Sequence, residues 1–334
     1  MYPWLTSASQ QLTVLIAKQQ LGHALLLKGV SGLGKGELAQ YLANALLCQH
    51  TYVGSHNNHQ DEQPVADVAF AIPCGHCHAC KLVAANTHSD LHVLNGKTGR
   101  IGVDAIRQLT QVLGESARLG GGKVAIIEQA DNMTEAAANA LLKTLEEPPG
   151  QSTLILTTAH AERLLATTRS RCQQWLLPVP EASVVLSWLA DQGLDTTVAA
   201  LNLNQGSPLA TRDYVSAGID QRRHQLLKQF TQLSQQPTTL ATVQAGLLEN
   251  KVHLLWLQLL LQDALQLSLG LTQAPLQLAD NRALSQQLSQ RGSALLQQAL
   301  TRLLELQRTL QPSSGRPVNS ALQLGHWLNQ WLAH

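Results

Sequence analysis

Eight residues, Gly29-Val30-Ser31-Gly32-Leu33-Gly34-Lys35-Gly36, limit the fold more than any other stretch of this 334-residue chain. They follow an apolar run, Ala24 to Leu27, and lead into helical spacing through Leu38, Leu42 and Ala45. A strand feeding a glycine-rich turn and then a helix lets backbone N–H groups wrap phosphate oxygens. A lysine reaches the outer phosphates, and the next side chain, Ser or Thr, holds Mg2+ with its hydroxyl. Gly29, Gly32, Gly34 and Lys35 fill the first two roles. Gly36 stands where the hydroxyl is needed, so nucleotide binding and nucleotide hydrolysis become separate questions.

The stretches around this loop read as alternating helices and strands. Residues 5–20 carry Leu12, Leu15 and Ile16 at helical spacing and suggest a packing helix. Asp90 to Leu94 suggests a strand, and Gly102 to Leu113 a helix with Val103, Ile106, Thr110 and Leu113 on one stripe. Lys123 to Asp131 reads as a buried strand with Glu128, Gln129 and Asp131 at its C-terminal end. Ala136 to Leu145 is a helix stopped by Glu146-Glu147-Pro148-Pro149, and Thr153 to Leu156 is a further strand tipped by Thr157 and Thr158. Apolar strands alternating with helices predict an α/β domain with a parallel sheet covered on both faces. Ligands of such sheets sit at the C-terminal strand ends. Glu128 is suitably placed there to serve a metal, whereas Gln129 carries no charge and is a poor general base.

Four of the five cysteines fall between Cys48 and Cys80. Cys74, Cys77 and Cys80 form C-x2-C-x2-C, and with Cys48 they supply four soft ligands that can converge on one tetrahedral ion. Zinc in a closed structural site is the favoured reading. Cys74-Gly75-His76-Cys77-His78 also fits a haem attachment motif, but no export signal precedes it. A redox pair leaves Cys48 and Cys80 unexplained, and an iron–sulfur run wants another cysteine soon after Cys80. His50, His56, His59, His76 and His78 read as solvated loop residues, and 51–73 as a flexible insertion within the metal module.

Charged residues make up only 13% of the chain and the formal net charge is +1, which argues against a global field for nucleic acid. With no leader pattern and no run long and apolar enough to span a bilayer, a cytoplasmic protein free of membrane contact is expected.

Taken in order, the phosphate loop, the four-cysteine module, Ile126-Ile127-Glu128-Gln129-Ala130-Asp131, the block Asn139-Ala140-Leu141-Leu142-Lys143-Thr144-Leu145-Glu146-Glu147-Pro148-Pro149 and Ser170-Arg171-Cys172 resemble the clamp-loader branch of the AAA+ ATPases. The resemblance is strong over the first 210 residues and continues as helices of matching number and length. It implies that Arg171 acts in trans, reaching the nucleotide site of a neighbouring subunit, where a guanidinium neutralises charge on the transferring phosphoryl group. Against that family, Gly36 lacks the Mg2+ hydroxyl and Gln129 stands for a catalytic glutamate. Leu209, in Gly206-Ser207-Pro208-Leu209, stands for a sensor arginine. Together they imply a subunit that does not hydrolyse ATP, with weak nucleotide binding left open. Cys172 reads as a small buried residue.

The expected organisation is an AAA+ parallel-sheet domain over 1–178 with the zinc module at 48–80 inserted, a small helical lid over 179–217, and an all-helical collar over 218–334. In the last part, Arg222 to Leu233, Leu254 to Leu269, Leu295 to Leu310 and Ala321 to Leu332 carry helical stripes, punctuated by Pro237, Pro275, Pro312 and Pro317. By resemblance the partners are the other clamp-loader subunits and, through the complex, the sliding clamp and primed DNA. Two other readings remain at this point: an ATPase in its own right, using Lys35 and Glu128, and a zinc-dependent nucleic-acid-binding module on Cys48 to Cys80.

Overall fold

A computed structural model describes residues 1–54, 70–97, 99–310 and 319–333. The chain divides into two compact units. One comprises Met1–Trp188 with Gly206–Ala210, and the other comprises Leu189–Gln205 with the chain from Thr211 onward.

The first unit is built on a parallel sheet. Its strands are β1 (Ala24–Lys28), β4 (Leu91–Asn95), β5 (Lys123–Glu128), β6 (Ser152–Thr158) and β7 (Gln173–Leu176), in the order β4-β5-β6-β1-β7. Two short strands, β2 (Tyr52–Gly54) and β3 (Phe70–Ile72), pair antiparallel outside it. The helices of this part are α1 (Thr6–Ala17), α2 (Lys35–Leu47), α3 (His78–Ala84), α4 (Val103–Leu113), α5 (Glu135–Glu146) and α6 (Ala166–Ser170).

Strand alternation divides the side chains between two cores. Ala24 and Leu26 of β1, Ala125 and Ile127 of β5, and Leu154 and Leu156 of β6 pack with Ile106, Leu109 and Leu113 of α4 and Leu141 and Leu145 of α5. Leu25, Leu27, Val124, Ile126 and Ile155 face the other way, onto Leu12 of α1 and Leu38, Ala39 and Leu42 of α2. Because successive side chains point to opposite faces, both faces of a covered strand must be apolar, which is why β1 reads Ala-Leu-Leu-Leu. Each fully buried leucine contributes about 1.5–3 kcal/mol relative to exposure.

Three sequence expectations shift. The stripe of α4 that meets the sheet is Ile106, Leu109 and Leu113, with Val103 and Thr110 only partly covered; Leu109 takes the inward place because it is the apolar neighbour at that turn. Thr157 and Thr158 lie inside β6 and are buried, paired by β1 in register Leu27↔Thr157 and Lys28↔Thr158. The ends of the 51–73 insertion form the β2–β3 hairpin, with Tyr52 opposite Ile72, while 55–69 lie outside the described residues.

Helix α7 (Ala182–Ala190) ends the first long stretch, α8 (Val198–Leu203) follows, and α9 is Pro208–Ser216. The second unit is helical and includes α10 (Ile219–Thr231), α11 (Leu240–Glu249), α12 (Lys251–Ser268), α13 (Arg282–Ser289), α14 (Ser293–Thr309) and α15 (Ser320–Leu332). Four of these match the striped stretches. The other two, α11 and α13, bury only Val243 and Leu247, and Ser285 and Leu288, too few apolar positions to announce themselves in sequence. Pro312 and Pro317 lie outside the described residues. The core stacks Phe230 on Trp327 and Trp331 at centroid distances of 6.0 and 5.3 Å. Arg223 is fully buried among these helices and donates to Asp280 at 2.5 Å and to Asp220 at 2.8 Å, as a buried guanidinium must. No described helix is long and apolar enough to cross a membrane.

Candidate functional site

The phosphate loop joins β1 to α2 at the C-terminal edge of the sheet. Gly32 and Gly34 adopt left-handed φ values of 73° and 86°, and a Cβ at Gly34 would lie 2.5 Å from the Tyr2 ring. Tyr2 stacks on Trp4 at 5.0 Å, Trp188 meets both rings edge-on, and Trp4 Nε1 donates to Leu33 O at 2.9 Å. From the other side, Leu209 N donates to Gly32 O at 3.1 Å, and Ser207 leaves no room for a Cβ at Gly32. The N-terminal segment and the Gly206–Ala210 stretch therefore both press on the loop.

Lys35 does not reach outward. Its Nζ donates to Gly29 O and Val30 O, each at 2.8 Å, so the ammonium is satisfied by the loop's own carbonyls. Burial pulls its pKa down to about 8, partly opposed by the charge of Asp131. Gly36 leaves its space to Glu128: a Cβ there would lie 2.5 Å from Glu128 Oε1. The other Glu128 oxygen ion-pairs with Lys97 Nζ at 3.1 Å. At the metal position the chain thus carries a carboxylate already balanced by its own cation.

Gln129 sits just beyond β5 with φ 51°, and its side-chain oxygen accepts from Asn132 Nδ2 at 3.2 Å. Asp131 accepts from Thr158 Oγ1 at 2.6 Å, tying the end of β5 to the tip of β6. Sequence reading placed Glu128, Gln129 and Asp131 together at this edge. Lys97 and Tyr2 escaped it, since a contact between residues so far apart leaves no local pattern.

Arg171 caps α6 on the first unit's surface. Its Nε donates to Glu146 Oε1 at 2.6 Å and Nη1 to Thr167 O at 3.0 Å, and a second guanidinium nitrogen also meets Glu146. One third of the side chain stays exposed. Glu146 belongs to the Glu-Glu-Pro-Pro stop of α5, so the two motifs noted in sequence meet in space. Cys172 is buried against the core, and burial pushes its thiol up to about 11.

The four-cysteine module closes on itself as the spacing predicts. Cys48 caps α2, Cys74 and Cys77 lie between β3 and α3, and Cys80 is in α3. The sulfurs all lie within 4.8 Å of one another, with Cys48–Cys77 at 4.0 Å and Cys74–Cys80 at 3.9 Å. Zn–S bonds of about 2.3 Å in a tetrahedron put sulfurs about 3.8 Å apart, whereas a disulfide needs about 2.05 Å. Backbone N–H groups of Cys74, Cys77 and Cys80 donate to the sulfurs of Cys48, Cys74 and Cys77 at 3.3–3.4 Å. Those bonds favour thiolates, so the donor set fits a soft cation and could hold zinc.

A parallel sheet with the loop-bearing strand between β6 and β7, and the acidic strand β5 next to β6, defines an AAA+-type α/β domain. Residues 4–181 match the family model described as DNA polymerase III, delta subunit, and residues 218–333 match that for its C terminal. The chain is 38% identical over 283 residues to DNA polymerase III subunit delta-prime of Escherichia coli K12, covering 81% of this chain and 78% of that one. It is also 38% identical over 241 residues to the delta-prime subunit of Pseudomonas aeruginosa, covering 70% and 67%. A DNA polymerase III gamma subunit-related protein of Thermotoga maritima is similar over 96% of this chain and 99% of that one, at 18% identity and a TM-score of 0.41. The chain belongs to the delta-prime subunit family of DNA polymerase III, within the clamp-loader branch that its motifs resemble.

Proposed function

We propose that this chain is a non-hydrolysing subunit of the DNA polymerase III clamp loader, which lends Arg171 to the nucleotide site of an adjacent subunit. It works within a hetero-oligomer that opens the sliding clamp and places it on primed DNA. The observation that carries the reading is the self-satisfied phosphate loop: Lys35 is spent on Gly29 and Val30 carbonyls, and Glu128 with Lys97 occupies the space beside Gly36. Without a metal hydroxyl and a general base, its own loop has little means to activate water. Gly29, Gly32, Gly34 and Lys35 are kept as the scaffold of that loop.

Arg171 is the group left able to act elsewhere. An exposed ion pair such as Arg171–Glu146 contributes about 0–1 kcal/mol, so a polyphosphate presented by a neighbour outcompetes it. Residues 179–217 serve as a small lid and 218–334 as the collar that joins subunits, with Cys48, Cys74, Cys77 and Cys80 around a structural zinc ion. When bound, that ion contributes local folding energy and no chemistry, because four thiolates leave it no open position.

Phosphate release by the reconstituted loader with clamp and primed DNA tests the reading. Arg171→Ala is expected to slow the complex by about tenfold or more with assembly intact, while the purified chain alone turns over no ATP. Hydrolysis by the chain alone that is lost with Lys35→Ala would establish the self-sufficient ATPase instead. Salt-sensitive DNA binding by the chain that disappears with the metal would establish the nucleic-acid module.

A further inference from the structure

Strand β4 is the edge of the sheet, and no described strand pairs with its outer side. Val124 N donates to Asp90 O at 2.9 Å and Gly96 N donates to Glu128 O at 3.0 Å. A parallel ladder uses alternate residues, so Asp90, His92, Leu94 and Gly96 serve β5. The N–H and C=O groups of Val93 and Asn95, and the C=O of Leu91, therefore point away from the sheet. The side chains of the same three residues line one face, where an open cavity of about 600 Å3 lies between β4 and α2. Val93 is 47% exposed there, although it is apolar.

One polar group at this cavity is unusual. His88 lines it and is 6% exposed. Its Nδ1 accepts from Asp90 N at 3.1 Å, which fixes the neutral ring with its proton on Nε2. Nε2 is buried and has no partner among the described residues. A buried donor without an acceptor costs about 1–3 kcal/mol, and a ligand with an acceptor relieves it. At the rim, Glu128 is neutralised by Lys97, whereas exposed Glu37, which accepts from Tyr2 Oη at 3.5 Å, has no ion pair among the described residues, which leaves one net negative charge.

We propose that the outer edge of β4 docks an extended segment of a partner protein, which joins the sheet as an added strand. The segment exchanges main-chain hydrogen bonds with Val93 and Asn95, seats an apolar side chain on Leu91 and Val93, presents an acceptor to His88 Nε2–H and carries a basic residue toward Glu37. A free strand edge supplies affinity through its backbone, and the adjoining cavity supplies the selection of side chains. The five residues of β4 span about 16 Å, a length matched by a peptide strand and not by a compact metabolite.

The test uses the full chain and twelve-residue peptides selected against it from a random displayed library, followed by amide hydrogen exchange with the best synthetic peptide. Expected is a slowing of about tenfold or more at the Val93 and Asn95 amides, with little change at His92 and Leu94, which the β5 ladder already protects. Val93→Pro removes one outward N–H and no ladder bond, and weakens the peptide about tenfold; His88→Phe weakens it about fivefold. The exchange measurement needs no variant, so misfolding of either substitution does not blunt it. A selected peptide that leaves Val93 and Asn95 exchanging unchanged, undiminished binding to a folded Val93→Pro chain, or a library that yields no binder would each overturn the proposal. Protection of the same two amides by concentration-dependent self-association would assign the edge to a second copy and overturn the partner segment.

Discussion

At the N-terminal end of α2, Lys35 donates to two carbonyls of its own loop, and Glu128 beside Gly36 is matched by Lys97. At the C-terminal end, Cys48 joins Cys74, Cys77 and Cys80 in a group whose sulfurs approach to 3.9–4.0 Å. The two ends carry the two strongest signatures in the sequence, and they differ in one respect. The first has met its electrostatic needs from within the chain, and the second has the donor set to take an ion from outside. A motif therefore records where a ligand can be bound, while the partners of its charged atoms decide whether the chain still needs one.

The largest effect separating the two ends is expected at the cysteines. The purified chain should carry one zinc per molecule by elemental analysis. Stripping the ion with a strong chelator, or replacing Cys77 by Ser, should cost several kcal/mol, below the roughly 10–16 kcal/mol of free zinc-finger peptides because the surrounding sheet stands without it. Hydrogen exchange should show α3 and the β2–β3 hairpin losing protection first. A metal-free chain melting like the zinc-bound one would erase the contrast.

A smaller effect is expected at Gly36. Gly36→Ser must push Glu128 off its position and loosen the pair with Lys97, lowering stability by about 1 kcal/mol in urea unfolding. It should restore no ATP hydrolysis in a phosphate-release assay, because Gln129 offers no base. Turnover gained by this one change would mean that the loop is merely short of a hydroxyl, and the comparison would fail.

The smallest effect concerns pH. Lys35 titrates near 8 in the folded chain against 10.5 for an exposed lysine. Between those values the unfolded chain binds more protons than the folded one, so this group makes stability rise with pH from about 8 and level off near 10.5. The expected gain is less than about 1 kcal/mol between pH 8 and 9, read as the difference between wild type and Lys35→Met in denaturant midpoints. A variant with the same slope as wild type would place Lys35 in water and undo the account of a closed loop.

Much of this was legible in the sequence. Strand β1, helix α2 and helix α5 follow from apolar runs, glycine punctuation and the Glu-Glu-Pro-Pro stop, because each is written in neighbouring residues. The cysteine cluster was legible because C-x2-C spacing fixes its own geometry. The exchange of Leu109 for Thr110 on the stripe of α4 was not, since both lie within one turn of the same face and only the sheet decides between them. Nor were the positions of Tyr2 against Gly34 and Lys97 against Glu128. Those contacts are made by the fold, between segments that carry no mark of one another, and they give the phosphate loop partners from distant parts of the chain.

Helix α2 has a further consequence through its own dipole. Thirteen aligned peptide groups place partial positive charge at Lys35 and partial negative charge at Leu47, about half an elementary charge at each end. Four thiolates gathered at the negative end are repelled by the helix that delivers the first of them, and a divalent cation there is attracted by thiolates and helix alike. The axial field that suits a phosphate at one end thus suits a metal at the other. At the C-terminal end that field adds to the preference of the cysteine sulfurs for a cation.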